Sequence, residues 1–467
     1  MRKLIILTVS ALLSLHVFSQ KGEVKRLSLP EAEAYALVHN KMLLNASLAI
    51  KEAEAAKWQA IAKGLPQVNA TIDYNDYFNY EYDFSGLSGG MMSPIQDMLA
   101  PLYQDVGALM LMQGLQPTLP PNTDNEPSQG GTKMNPTSTF NLRATIGFSA
   151  AYIIGIQMSK LAVDMSKINF DKSQRDTKNQ VRGMYYSILI TQSTINLLTS
   201  SMDNMKKMHT HTENAVKAGI AEQTDADQLA IQVYSMQNTV NASRRNVEVM
   251  TNALRLLLGL PIETEIELTE NLETLDISVN TLNLLGERFE MKNNYDYRLL
   301  KQNEALAKKQ YQMSGWAYAP SIGAFYQYTN KILKPNFDMS PNNVAGVTLT
   351  MPLFSSGERL AKVRQTKFAL QAAQNQTEIL QDQLSAQEKQ LRYNITSAYE
   401  NYHIQKKNIE LSQQVFDKVL QKYKLGYSSS LDVTNASMTL ISTQNNYVSA
   451  TYELINAQLE LEKLLNK

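Results

Sequence analysis

The 467-residue chain contains no cysteine. That absence excludes disulfides, thiolate zinc sites, iron–sulfur clusters, cysteine nucleophiles and a lipid-modified N-terminal cysteine. Net charge is lacking too, since 44 Lys+Arg balance 44 Asp+Glu. No Lys/Arg run is dense enough to track a phosphate backbone, so nucleic acid is not an expected partner. After Gln20 no apolar window approaches the roughly 20 residues that a spanning helix needs, so membrane insertion must use β-strands or surface contact. There is no H-E-x-x-H, P-loop or GxGxxG, and no pair of carboxylates is set apart for acid–base work. Neither an enzyme nor a bound cofactor is expected.

What is present begins with an address label. Arg2 and Lys3 precede an apolar run from Leu4 to Val17, and Val17-Phe18-Ser19 closes it with a small residue. Residues 1–19 read as a secretory signal peptide. The mature chain is expected to be exported.

Proline then marks the organisation. Pro30 and Pro66 stand alone, seven prolines crowd between Pro94 and Pro136, and five follow from Pro261 to Pro352. The stretches 137–260 and 353–467 have none, and they read as long helices. An internal repeat joins the halves. Asn40 to Pro66 corresponds to Asn294 to Pro320, and Lys217-Ala-Gly219 with Asp225 corresponds to Lys424-Leu-Gly426 with Asp432. Each copy reads helix, strand, strand, long helix, tight turn, long helix. The first copy spans 20–261 and the second 262–467. Helical hairpins are expected at about 155–258, with the turn at 219–225, and at about 357–465, with the turn at 426–432.

The helices carry a seven-residue repeat. Ile395, Tyr402, Ile409, Phe416 and Tyr423 are seven apart, as are Val433, Leu440, Tyr447, Leu454 and Leu461 after the turn. Ile188, Ile195, Met202, His209 and Val216, then Ala226, Val233, Val240, Val247 and Leu254, are their counterparts in the first copy. A sustained heptad implies left-handed supercoiled packing of neighbouring helices.

The strands carry period two. Val68, Ala70, Ile72 and Tyr74 alternate with Asn69, Thr71, Asp73 and Asn75, and Phe140 to Ala150 alternates in the same way. Strands are expected at about 67–82, 139–150, 321–330 and 344–352, opened in each copy by Pro66 or Pro320. Ten-residue segments with one apolar face and a tyrosine fringe match transmembrane β-barrel strands. Singly, the amphipathic strands of a soluble sheet look the same; export without a membrane helix, together with the tyrosine clusters, favours the barrel. Four strands cannot close a barrel, and an open edge cannot face lipid. The barrel must therefore be shared between chains.

The duplicated plan, the two strand-opening prolines and the paired Gly-x5-Asp turns resemble the TolC-like outer-membrane efflux proteins, from about Leu29 to Leu465. The resemblance implies a mainly α fold with a membrane β-barrel. Three chains would complete a twelve-strand barrel, continued by a long periplasmic coiled-coil tunnel. It also implies a homotrimer in outer-membrane lipid that docks a periplasmic adaptor and an inner-membrane pump and passively exports small molecules. Some relatives serve type I protein secretion instead; a secreted coiled-coil structural protein is the reading outside the family. Carried over by position, Asp225 and Asp432 match the aspartates after the turn glycines Gly219 and Gly426, and Tyr423 matches a turn tyrosine. Ser428 and Asn435 replace an arginine and an aspartate, so closure through Tyr423 and Asn435 is expected in place of a salt-bridged latch. Helix capping alone is the bland reading of Asp225 and Asp432; capping together with lining of the gate is the favoured one.

Other signals read blandly. Gly86-Leu-Ser88-Gly-Gly90 fits a nucleophile pattern but lacks a strand-to-helix context. Met202, Met205, Met208, His209 and His211 suggest a soft-metal site, yet Met202 and His209 are heptad positions, which points to packing. The segment 83–136, absent from the second copy, joins two barrel strands. It is expected to emerge on the outer face and narrow the mouth.

Overall fold

The computed structural model describes residues 24–78, 80–82, 132–271, 277–335 and 338–467. The signal peptide, the Gly86–Gly90 motif and residues 83–131 of the expected insertion lie outside the described residues. In chain order the elements begin with β1 (Lys25–Leu27), α1 (Leu29–His39), α2 (Lys41–Ala62), β2 (Gln67–Asn75), β3 (Glu81–Tyr82), β4 (Thr132–Lys133) and β5 (Thr137–Phe148). There follow α3 (Ala150–Lys217), α4 (Gln223–Leu258), β6 (Ile266–Leu268), α5 (Ile277–Gly286) and α6 (Tyr295–Trp316). The chain ends with β7 (Ser321–Leu333), β8 (Asn343–Thr350), α7 (Glu358–Lys424) and α8 (Ser430–Leu465). They divide into a helical unit, with residues up to Trp58, Ile154–Gly315 and Gly357–Lys467, and a sheet unit, Gln59–Ile153 and Trp316–Ser356.

In the helical unit the heptad stripe is the core. Ile188, Ala226, Val240, Leu254, Ile395, Val433, Leu454 and Leu461 are all buried to within one per cent of completely. At 68 and 67 residues, α3 and α7 are each about 100 Å long at 1.5 Å per residue. That length suits hairpins packed side by side, not a globule. None of the described helices is apolar enough to cross a membrane. Met202, Met205, Met208 and Met236 pack with Leu229, Val233, Phe416 and Leu440, so the thioethers fill core space.

Two asparagines do matching work where α2 and α6 begin. Asn40 Oδ1 accepts from the Met42 and Leu43 amides at 2.8 and 3.2 Å, while its Nδ2 donates to Leu257 O at 2.7 Å. Asn294 Oδ1 accepts from the Asp296 and Tyr297 amides, and its Nδ2 donates to Leu464 O at 3.4 Å. Each buried side chain caps one helix and satisfies the end of another. Gly259, at φ 75°, ends α4, and a Cβ there would stand 2.4 Å from His39 O. Only glycine fits both the left-handed backbone and that approach.

The sheet unit is antiparallel, in the order β2-β5-β7-β8. Ala70 pairs with Leu142, Leu142 with Tyr328, and Tyr326 with Ala345. The register aligns Val68, Ala70, Ile72 and Tyr74 with Phe140 to Phe148, Ile322 to Tyr328 and Ala345 to Leu349 on one face. That apolar face is exposed: Ile72 is 72% exposed, Val347 75% and Leu349 64%, and along the edge strands β2 and β8 the polar face is largely exposed as well. Along β7 the other face, with Phe325, Gln327 and Thr329, is half-buried, whereas Ile322, Tyr326 and Tyr328 are exposed. The polar face is knit together. Asn141 donates to Asp73 at 2.8 Å and accepts from Thr329 at 2.8 Å and Gln327 at 3.4 Å.

Two expectations need correcting. The strand expected over 67–82 is two strands, because Asp76 Oδ1 accepts from the Phe78 amide at 3.0 Å and Phe78 turns to φ 45°. Such a side-chain turn ends the ladder. The helix expected from about residue 155 starts at Ala150, directly after Ser149, whose carbonyl and hydroxyl both accept from the Tyr152 amide. Gly155 lies inside it at the cost of some helix propensity.

Candidate functional site

The polar residues singled out in the sequence collect at the two interhelical turns. Both turns are built alike. Gly219, at φ 73°, donates to Val216 O at 2.9 Å and Ile220 to Ala215 O at 2.9 Å; Gly426, at φ 78°, donates to Tyr423 O at 2.9 Å and Tyr427 to Lys422 O at 2.8 Å. This is the Schellman pattern, which closes a helix through one left-handed residue.

The return limbs start differently. Asp432 is the third residue of α8 and closes a capping box: its amide donates to Ser429 Oγ at 3.1 Å, and its carboxylate accepts from the Ser429 amide at 2.9 Å. The hydroxyls of Ser429 and Ser428 also donate to it, at 2.8 and 3.0 Å. The Ser429 amide, followed by these hydroxyls, holds the Asp432 carboxyl below its ordinary range. Asp225 has no such box. Its Oδ1 accepts instead from Ser430 Oγ at 2.6 Å, across 205 positions of sequence, and so ties the start of α4 to the start of α8. Ser430 itself is buried.

Tyr423 OH lies 2.7 Å from Thr212 Oγ1, which joins the end of α7 to the end of α3. Within one chain Tyr423 and Asn435 do not bond each other. Asn435 is exposed, and its side chain makes no hydrogen bond among the described residues. One turn of helix carries Asn435 to the solvent side while Tyr423 faces the neighbouring limb. Pro66 and Pro320 immediately precede β2 and β7, where a missing N–H costs no ladder bond.

Sequence reasoning passed over Ser429, Ser430 and Thr212. The Ser-x-x-Asp spacing of 429–432 is a local signature that reveals the first. Ser430 and Thr212 bond residues more than 200 positions away, and no local pattern encodes that.

The family model described as "Outer membrane efflux protein" matches residues 137–260 and 291–467. Outer membrane efflux protein BepC of Brucella suis biovar 1 (strain 1330) is 26% identical over 147 residues, which are 31% of this chain and 32% of the relative. The match therefore spans about a third of that curated relative's length. Two solved structures share the fold. The outer membrane protein VceC of Vibrio cholerae superposes with TM-score 0.69 at 15% identity, over 94% of this chain and 96% of that one. The Campylobacter jejuni CmeC outer membrane channel does so with TM-score 0.71 at 13% identity, over 96% and 90%. With its paired helical hairpins, its sheet that exposes the apolar face, and a family match over both halves, the chain belongs to the outer membrane efflux protein family.

Proposed function

We propose that three copies of this chain form the outer-membrane exit duct of a tripartite efflux pump and passively release small molecules. One observation carries the reading: the sheet exposes its apolar face, in register across four strands, and leaves β2 and β8 unpaired at its edges among the described residues. A water-facing sheet would expose the opposite face. With four antiparallel strands, β8 of one copy is antiparallel to β2 of the next, so three copies close a ring of twelve without a mismatch. The apolar face then meets lipid, and the Asp73–Asn141–Gln327–Thr329 network lines water.

In this reading the two halves are repeats of one plan. The hairpin turns form the periplasmic end, where an adaptor of an inner-membrane pump would dock. Asp225 and Asp432, repeated three times around a narrowing tunnel, favour cations there. Asp432 is both a cap and a charge, because the capping bonds stabilise its ionised form.

Membrane extraction followed by native mass spectrometry and planar-bilayer recording tests the proposal. A detergent-dependent trimer that conducts is expected, with cation preference weakened in the D225A/D432A double variant. A monomer that is soluble without detergent refutes it.

A further inference from the structure

On the polar face of the sheet, Arg143 stands near the middle of β5, opposite Asn69 of β2 and Gln327 of β7. Its guanidinium carbon lies 4.8 Å from the centroid of the Phe325 ring. That ring lies over Gly346 of β8, where a Cβ would come within 2.7 Å of it. A glycine thus makes room for an aromatic platform, and the platform holds an arginine by a cation–π contact.

The other described charges on this face are engaged. Asp73 accepts from Asn141. Lys331 is ion-paired with Asp338 and donates to Ser340 O. Among the described residues the Arg143 guanidinium takes part in no hydrogen bond or ion pair, so its five N–H donors are free. Asp73 sits four residues along the register from the Arg143 row, about 13 Å away at strand spacing.

We propose that Arg143 and Phe325 form an anion-contact station inside the barrel lumen that receives the carboxylate of an aromatic or amphipathic organic acid; this rests on the trimeric-barrel reading. A charge at mid-strand has to face the water-filled interior, because the lipid side would strand it in hydrocarbon. Threefold repetition turns one guanidinium into a ring, the arrangement that admits anions. Arg143 offers a forked, bidentate match to a carboxylate, and the half-buried Phe325 ring against which it lies gives the aromatic body an apolar neighbour. The station is opposite in sign to the turn aspartates, so a solute bearing both an amine and a carboxylate would find a complementary ring of each sign.

The test is block of single-channel current in planar bilayers by added benzoate, with tetraethylammonium as the cationic control. Wild-type current should fall with benzoate, and R143Q should need about fivefold more benzoate for the same block, the size expected from one charge pair near 4 Å in water. R143K should lie between them, and F325L should lose benzoate sensitivity while keeping its chloride-to-potassium preference. Gel mobility of each variant as a trimer separates loss of the station from misfolding. A conducting wild type with R143Q blocked at the same benzoate concentration overturns the proposal. A wild type that is trimeric but carries no current overturns the channel reading first, and this one with it.

Discussion

Leu142 and Arg143 are adjacent in β5 and face opposite sides of the sheet, so the same side chain can be tested against both environments. Leu142 is paired with Ala70 and Tyr328 on the apolar face, and it is the sixth of twelve residues in its strand. In a barrel it lies near the bilayer midplane. Arginine on the lipid face costs about 2–4 kcal/mol at that depth, and three copies make about 6–12 kcal/mol per trimer. That is comparable to the whole folding stability of an ordinary domain, about 5–15 kcal/mol. Leu142→Arg should therefore abolish the proposed trimer on a non-boiled gel and leave the chain outside the membrane fraction. Arg143→Leu, one residue on, should insert and trimerise normally, since losing an arginine from the proposed water-filled lumen leaves no buried group unpaired. Assembly of Leu142→Arg as efficient as that of the wild type would show that the exposed apolar face does not meet lipid.

Gly259→Ala should lower the melting temperature far more than Gly219→Ala. Both carry the left-handed backbone cost of about 1–2 kcal/mol, but only at Gly259 would the new Cβ press on a carbonyl, His39 O at 2.4 Å. Arg182 bridges Glu33 on α1 and Glu462 on α8 with all three side chains largely buried, so Arg182→Ala should destabilise by about 3 kcal/mol in chemical denaturation. Burial, only partly offset by Arg182, pushes the Glu462 carboxyl above its ordinary value. The R182A deficit should therefore shrink as the pH falls and that group takes a proton. The Asp432 carboxyl is held low instead. Its contribution to the turn is fully present above the ordinary carboxylate range and disappears as the pH falls through its lowered folded value. Amide exchange at Ser430 to Val433 should accelerate on that acid side; Ser429→Ala, which keeps the backbone amide and the Ser428 hydroxyl, should weaken the pH dependence, and Asp432→Asn should remove it.

Much of this protein is legible without coordinates because its patterns are local and periodic. A heptad needs only the next turn of the same helix to declare itself, and Ile395, Val433 and Leu461 are buried as their spacing requires. Alternation in 68–74 and 140–148 marks strands for the same reason, since the pleat makes period two a property of single segments. Short-range chemistry also sets the capping of Asp432 by Ser429, and it breaks the strand at Asp76–Phe78, where a side-chain bond to a nearby amide outcompetes the ladder.

Other features required the folded chain, because each depends on partners distant in sequence. The order β2-β5-β7-β8 places Asn141 between Asp73 and Thr329, and no segment of sequence carries that neighbourhood. The two aspartates look equivalent in their repeats, yet tertiary packing sends Asp225 to Ser430 while Asp432 stays on its own helix. Tyr423 is drawn to Thr212 and not to Asn435 by the side of the helix that faces α3. Gly346 reads as an unremarkable strand glycine until the Phe325 ring is seen lying across it. Periodicity along one chain sets which face of an element is apolar. What that face meets is decided only when distant elements are brought side by side, since contact free energies belong to pairs and not to positions.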